Sequence, residues 1–140
     1  MKDNIEIKAP EGYKFKEIKD GNVVFEPIQT DYNYVIEQLG LGDCRFVSAR
    51  CYSERQTDKL RSINKLLNVA KYLNGDWKPD FKNDNDKKWH IYLDITQKPE
   101  TNYDFMLTKS FVYFKTEELA QQAVEILGED TIKLALTTDY

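Results

Sequence analysis

His90, Tyr92 and Asp94 alternate in "WHIYLDI". On a strand this spacing turns an imidazole, a phenol and a carboxylate to one face, a set suited to general acid–base chemistry. Ser48 or Cys51 would be the matching nucleophile. A solvated sheet face shows the same polar alternation, and we read the three residues as such a face. No catalytic residue is assigned on this reading, and the chain is taken as a non-enzyme. Pairing Ile91 with Leu107, Leu93 with Phe105 and Ile95 with Tyr103 would set Asp94 opposite Asp104. Two facing carboxylates either share a proton at a site or splay into solvent. A pocket enclosing His90 with Asp94 or Asp104 would turn the reading toward a small hydrolase.

Aromatic and basic residues interleave in "YLNGDWKPDFKNDNDKKWHIYLDI". Trp77, Phe81 and Trp89 stand near Lys78, Lys82, Lys87 and Lys88. Single-strand nucleic-acid binders combine stacking faces with such charges. The same aromatics could instead fold over the end of a helix, since tryptophan covers a large apolar area. We read them as a cap. The candidate binding residues are Trp77, Phe81, Lys82, Lys87 and Trp89, with Arg55 and Lys59 on the preceding helix.

Metal and cofactor chemistry finds little support. "DNDKKWHIYLD" puts Lys88 at the fifth position of a calcium loop and Trp89 where glycine is needed. One His and two Cys fall short of the usual zinc ligand set. Cys44 and Cys51 lie at odd spacing in "CRFVSARCY", so a strand there would point them to opposite faces as two thiols, not a disulfide. Gly40 and Gly42 read as a helix end and turn, since no Lys-Ser/Thr follows as in a phosphate loop. No cofactor and no metal are expected.

The elements that must hold these residues are an antiparallel sheet and three or four helices. Tyr13–Ile18 and Val23–Ile28 read as strands joined at "KDGN", with Asp-Gly as a tight-turn pair. Thr30 or Asp31 caps a short helix whose inner side is Val35, Ile36 and Leu39. Residues 54–74 form the long helix, opened by a Ser53/Gln56 capping box and stopped at Asn74-Gly75. Its apolar stripe is Leu60, Ile63, Leu66, Leu67, Ala70 and Leu73, with Ser62 opposite. Arg55 and Lys59 sit over the stripe one turn before the core, an overhang or a partner contact. Lys87–Ile95 is a strand, and residues 103–115 form one bent strand or two. Thr116 caps the next helix, Gly128 ends it, and Asp130 caps a last one. Helix–Gly–helix has the length of a helix-turn-helix, but Lys133 is the one cation of its second helix and the surroundings are acidic.

The expected fold is α+β: an antiparallel sheet packed against the long central helix and the C-terminal helices. A β-hairpin unit spans residues 1–29 and the α+β domain spans 30–140, the two expected to make one compact domain overall. Length and 41% apolar content suffice for a core without staples. The apolar runs are too short to span a membrane, and "MKDNIEIK" lacks the apolar core of a secretory signal. The net charge of −4 is uneven, with a mildly basic middle and an acidic last third. That gives weak support to phosphate binding, which needs clustered positive charge.

"IEIKAPEGYKF" with "VVFEPI", "YLNGDWKPDF", "KKWHIYL" and "FKTEELAQQAVEIL" resemble a family of small phage and prophage proteins of gut anaerobes. The shared signs are a P-E-G-Y hairpin, an N-x-x-W-x-P-D-[WF] element carried here by Trp77, Pro79 and Phe81, and an F-K-[ST]-E-E helix. Residues 30–53 depart from that pattern. The resemblance implies an α+β fold and a phage or prophage setting, cytoplasmic in the bacterial host or virion-associated; it carries no activity. The function expected is a non-catalytic accessory or interaction protein that binds another protein. The alternative is a single-stranded nucleic-acid binder built on the Trp77–Trp89 loop.

Overall fold

Asp20 and Gly21 both take positive φ, 53° and 77°. This turns β1 (Tyr13–Lys19) back onto β2 (Asn22–Pro27), as a tight hairpin turn requires. The computed structural model describes residues 6–40 and 53–138. The chain divides into two units, Met1–Thr30 and Asp31–Tyr140. In the first, Phe15 pairs with Phe25 but Glu17 pairs with Val24, leaving Lys16 as the extra residue of a bulge. The bulge resets the strand parity. Ile18, opposite Val23, then joins the face of Tyr13 and Phe15, opposite Pro27 and Phe25. Tyr13, Phe15 and Ile18 are exposed on that face.

The second unit is built on helices. In α1 (Tyr32–Gln38) the Asp31 carboxylate accepts from Tyr34 N–H at 2.9 Å. In α2 (Glu54–Asn74) Ser53 Oγ accepts from Gln56 N–H, and Gln56 Oε1 accepts from Ser53 N–H. Two orphan amides of the first turn are thereby satisfied. The buried side of α2 centres on Ser62, Leu66, Val69 and Ala70. The expected stripe is therefore turned: Leu60 and Leu67 are 37% and 43% exposed, and Ser62 is inside. α1, α3 and α4 all pack on α2, and their common centre sets that face. The strand expected around Cys44 and Cys51, with Ser48, lies outside the described residues.

β3 (Lys88–Leu93) pairs antiparallel with β4 (Pro99–Asp104). The register sets Ile91 opposite Thr101, Leu93 opposite Pro99 and Trp89 opposite Tyr103, not the expected Leu107, Phe105 and Ile95 partners. The turn decides it. Asp94 carboxylate accepts from Thr96 N–H, Thr96 Oγ1–H and Lys98 N–H at 2.7–2.9 Å, closing the hairpin early. Asp94 and Asp104 therefore do not face each other, and Ile95 lies at the tip, fully exposed.

Residues 103–115 are neither one strand nor two. After β4 the chain forms a loop and returns at Phe114, which exchanges both backbone hydrogen bonds with Trp89. On the other edge of this segment, Asn74 Nδ2 donates to Tyr113 O at 2.8 Å and Lys115 N–H donates to Asn74 Oδ1 at 3.1 Å. α3 (Glu117–Leu127) is capped by Thr116, whose Oγ1 accepts from Leu119 N–H. α4 (Glu129–Leu136) starts from Gly128 without a side-chain cap, so Asp130 lies in its first turn and is not its cap. The sheet lies against α3 and α4, and these pack on α2. Leu66, Val69, Ile91, Phe114, Ala120, Ala123 and Ile132 join in the core. The fold is α+β, and no described helix is long and apolar enough to cross a membrane.

Candidate functional site

Lys88 opens β3 with its side chain fully buried. A buried amino group needs a partner for each donor. Lys88 Nζ donates to Asn83 O at 2.7 Å, Asp86 O at 2.9 Å and Phe105 O at 2.8 Å. It stands over the Phe81 ring at 5.6 Å from the centroid. One side chain thus ties the 83–86 loop to the end of β4.

His90 follows on the same side of the strand. It is 8% exposed, so the expected solvated face is covered at His90, while Tyr92 on the same face is exposed. Against it lie Asp104 and the edge-on Tyr113 ring, centroids 5.6 Å apart, the two ends of the loop of residues 105–112. Asp104, 5% exposed, is its first anchor. Asp104 Oδ2 accepts from Tyr113 Oη–H at 2.9 Å, and Oδ1 pairs with Lys109 Nζ at 3.0 Å. Tyr113 Oη in turn accepts from Lys109 N–H and Ser110 N–H at 2.7 and 3.2 Å. His90 Nδ1 lies 3.1 Å from Asp104 Oδ2 but out of line for a hydrogen bond, and is left without a partner.

The electrostatics follow from burial. Burial pushes His90 below the ordinary histidine range, against the Asp104 carboxylate that pulls it up. Burial also raises Asp104, but hydrogen bonds from Lys109 and Tyr113 and the charges of His90 and Lys109 outweigh it and hold Asp104 below its usual value. Burial and the Asp104 bond push the Tyr113 phenol up. This polar clamp holds a loop that buries Val112 and turns Lys109 back to Asp104 but exposes four of its large apolar side chains. Phe105, Met106, Leu107 and Phe111 are 38%, 60%, 66% and 49% exposed.

The residues singled out in the sequence do not form one site. Trp77 and Phe81, with Pro79, line a groove of about 810 Å³ that also takes Leu67 from α2 and Phe111 and Val112 from the loop side. Phe81 packs edge-on against Tyr113, centroids 5.2 Å apart. Trp89 is half-buried, edge-on to Tyr103, and Lys87 Nζ stands 4.5 Å from the Tyr103 centroid. The cleft shared by Trp77, Lys87 and Trp89 is also lined by Asp86, Glu117 and Glu118, carboxylates that repel a phosphate backbone. Lys82 is exposed, its N–H on Asp80 Oδ1. Lys59 does not overhang the core: its Nζ donates to Ala135 O and Thr137 O and closes the end of α4. Arg55 is exposed one turn earlier.

Sequence reasoning missed the buried role of Lys88 and the network of Lys109 and Tyr113 with Asp104. Period-two alternation marked only one face of β3 as inner, and nothing in the pattern announced a second cover. Among the described residues no group of three or more His, Cys, Asp or Glu is placed to hold a metal ion. No protein-family model, curated protein or solved structure matches the chain.

Proposed function

We propose that this chain is a non-catalytic interaction protein that docks another protein through the clamped 105–111 loop and the groove beside it. The observation that supports the reading is the pairing of opposites in one loop. Its backbone is fixed from beneath by Lys88, Asp104 and Tyr113, while four large apolar side chains face outward. An apolar display held rigid loses little entropy on binding, and exposed apolar patches mark interaction sites. Leu67, Trp77 and Phe81 extend the patch into the groove. The phage or prophage setting belongs to the same proposal and rests on the resemblance of the sequence motifs.

A photo-crosslinking amino acid at Met106, and separately at the exposed Glu125 of α3, tests the reading in the native host. The expected result is a discrete protein adduct from position 106, missing from position 125 and lost when Leu107 and Phe111 are serine. Equal adducts from both positions, or none from 106, would overturn it. Salt-sensitive quenching of Trp77 and Trp89 by single-stranded DNA would instead favour the nucleic-acid alternative.

A further inference from the structure

The start of α2, β3, the end of α4 and the 109–111 segment enclose a cleft of about 560 Å³, on the other side of the clamp from the groove. That is the size of a small-ligand site. Its titratable lining is Lys59, His90, Tyr92 and Lys109. No carboxylate is among the described residues that line it, in a chain with 24 acidic residues against 20 basic. Tyr92 and Phe111, 40% and 49% exposed, supply ring surface at its sides.

We propose that this cleft binds a small organic anion, a carboxylate or phosphate head on an aromatic body, with Lys109 and protonated His90 as its partners. His90 is nine-tenths buried in the cleft wall, and its Nδ1 lacks an aligned partner 3.1 Å from Asp104 Oδ2. A proton added to the ring sets a positive charge 3.1 Å from that carboxylate and leaves Nε2–H as a donor for a ligand. Burial opposes the charge, and an anion in the cleft offsets the burial. The Lys109 side chain is 61% exposed and bridges from Asp104 toward the same space. The groups around His90 are Asp104, Lys109 and Tyr113 on one side, Tyr92 on its own strand and Lys59 from α2 across the cleft. Lys59 Nζ gives two of its three N–H groups to the last carbonyls of α4 and adds positive charge to the cleft. Binding takes up a proton on His90, so affinity rises as pH falls.

The chain has one histidine, so its imidazole resonance is unambiguous. NMR titration of that resonance against pH, with phenyl phosphate, with benzoate or with sodium chloride at matched ionic strength, is the test. The midpoint should move up with an aromatic anion and not with chloride. A shift with only one of the two anions identifies the head group. Lys109→Gln should weaken binding by about tenfold, the effect of one charge-assisted hydrogen bond, and Lys98→Gln in the exposed β3–β4 turn should not. A midpoint that moves no further with either aromatic anion than with chloride overturns the proposal. So does an equal shift in Lys109→Gln.

Discussion

The Tyr113 hydroxyl donates to Asp104 at 2.9 Å, joining the two ends of the loop that lies between them. The same oxygen collects the N–H groups of Lys109 and Ser110. Tyr113→Phe keeps the ring against Phe81 and His90 but strands two amides and one carboxylate oxygen. The expected cost is about 2–3 kcal/mol, since unsatisfied buried groups carry their full desolvation penalty. Chemical denaturation measures the loss, and hydrogen exchange should show it concentrated at residues 105–112.

Lys88 offers a sharper case. Lys88→Met fits the same space yet frees three carbonyls, those of Asn83, Asp86 and Phe105. We expect a loss of about 3 kcal/mol, at the upper end for a single substitution. Lys87→Met, one residue earlier and exposed over Tyr103, should cost less than about 1 kcal/mol. Equal losses from the two would mean that the buried position of Lys88 contributes nothing special.

The pH dependence has a worked sign. His90 is depressed in the folded chain, so between its folded value and about 6.5, its unfolded value, the unfolded chain binds the extra proton. Stability therefore falls as pH drops from about 6.5 toward the folded value of His90. Asp104 is also depressed; its share is present above the ordinary carboxylate value and is lost as pH falls below that value through its folded one. Thermal midpoints measured across this range should decline in two stages, and His90→Gln should remove the upper one.

Local chemistry made several elements legible. The Ser53/Gln56 box, the Asn74-Gly75 stop, the Thr116 cap and the Asp20-Gly21 turn act within a few residues, and each is where the sequence puts it. The β3–β4 register was not legible in the same way. Matching Ile91 with Leu107 and Leu93 with Phe105 maximised apolar pairing, but Asp94 closes the turn on Thr96 and Lys98 first. The displaced apolar residues, Phe105, Met106 and Leu107, then fall outside the sheet and face solvent. His90 was misjudged for a related reason: a strand shows its own alternation, not the loop that will cover its second face. The hydrogen bonds of the clamp join residues of β3 and β4 to a later loop, contacts that no spacing rule encodes.

The carboxamide of Asn74 stands where another strand would add. It presents one donor and one acceptor to Tyr113 O and Lys115 N–H, as a neighbouring backbone would. The segment at Phe114 is thus paired on both sides, by Trp89 and by a single side chain. An open edge of this kind templates the addition of like chains. Asn74 is in this sense a terminator of sheet growth as well as a helix end. Replacing it by alanine would leave Tyr113 O and Lys115 N–H without this partner and reopen that margin.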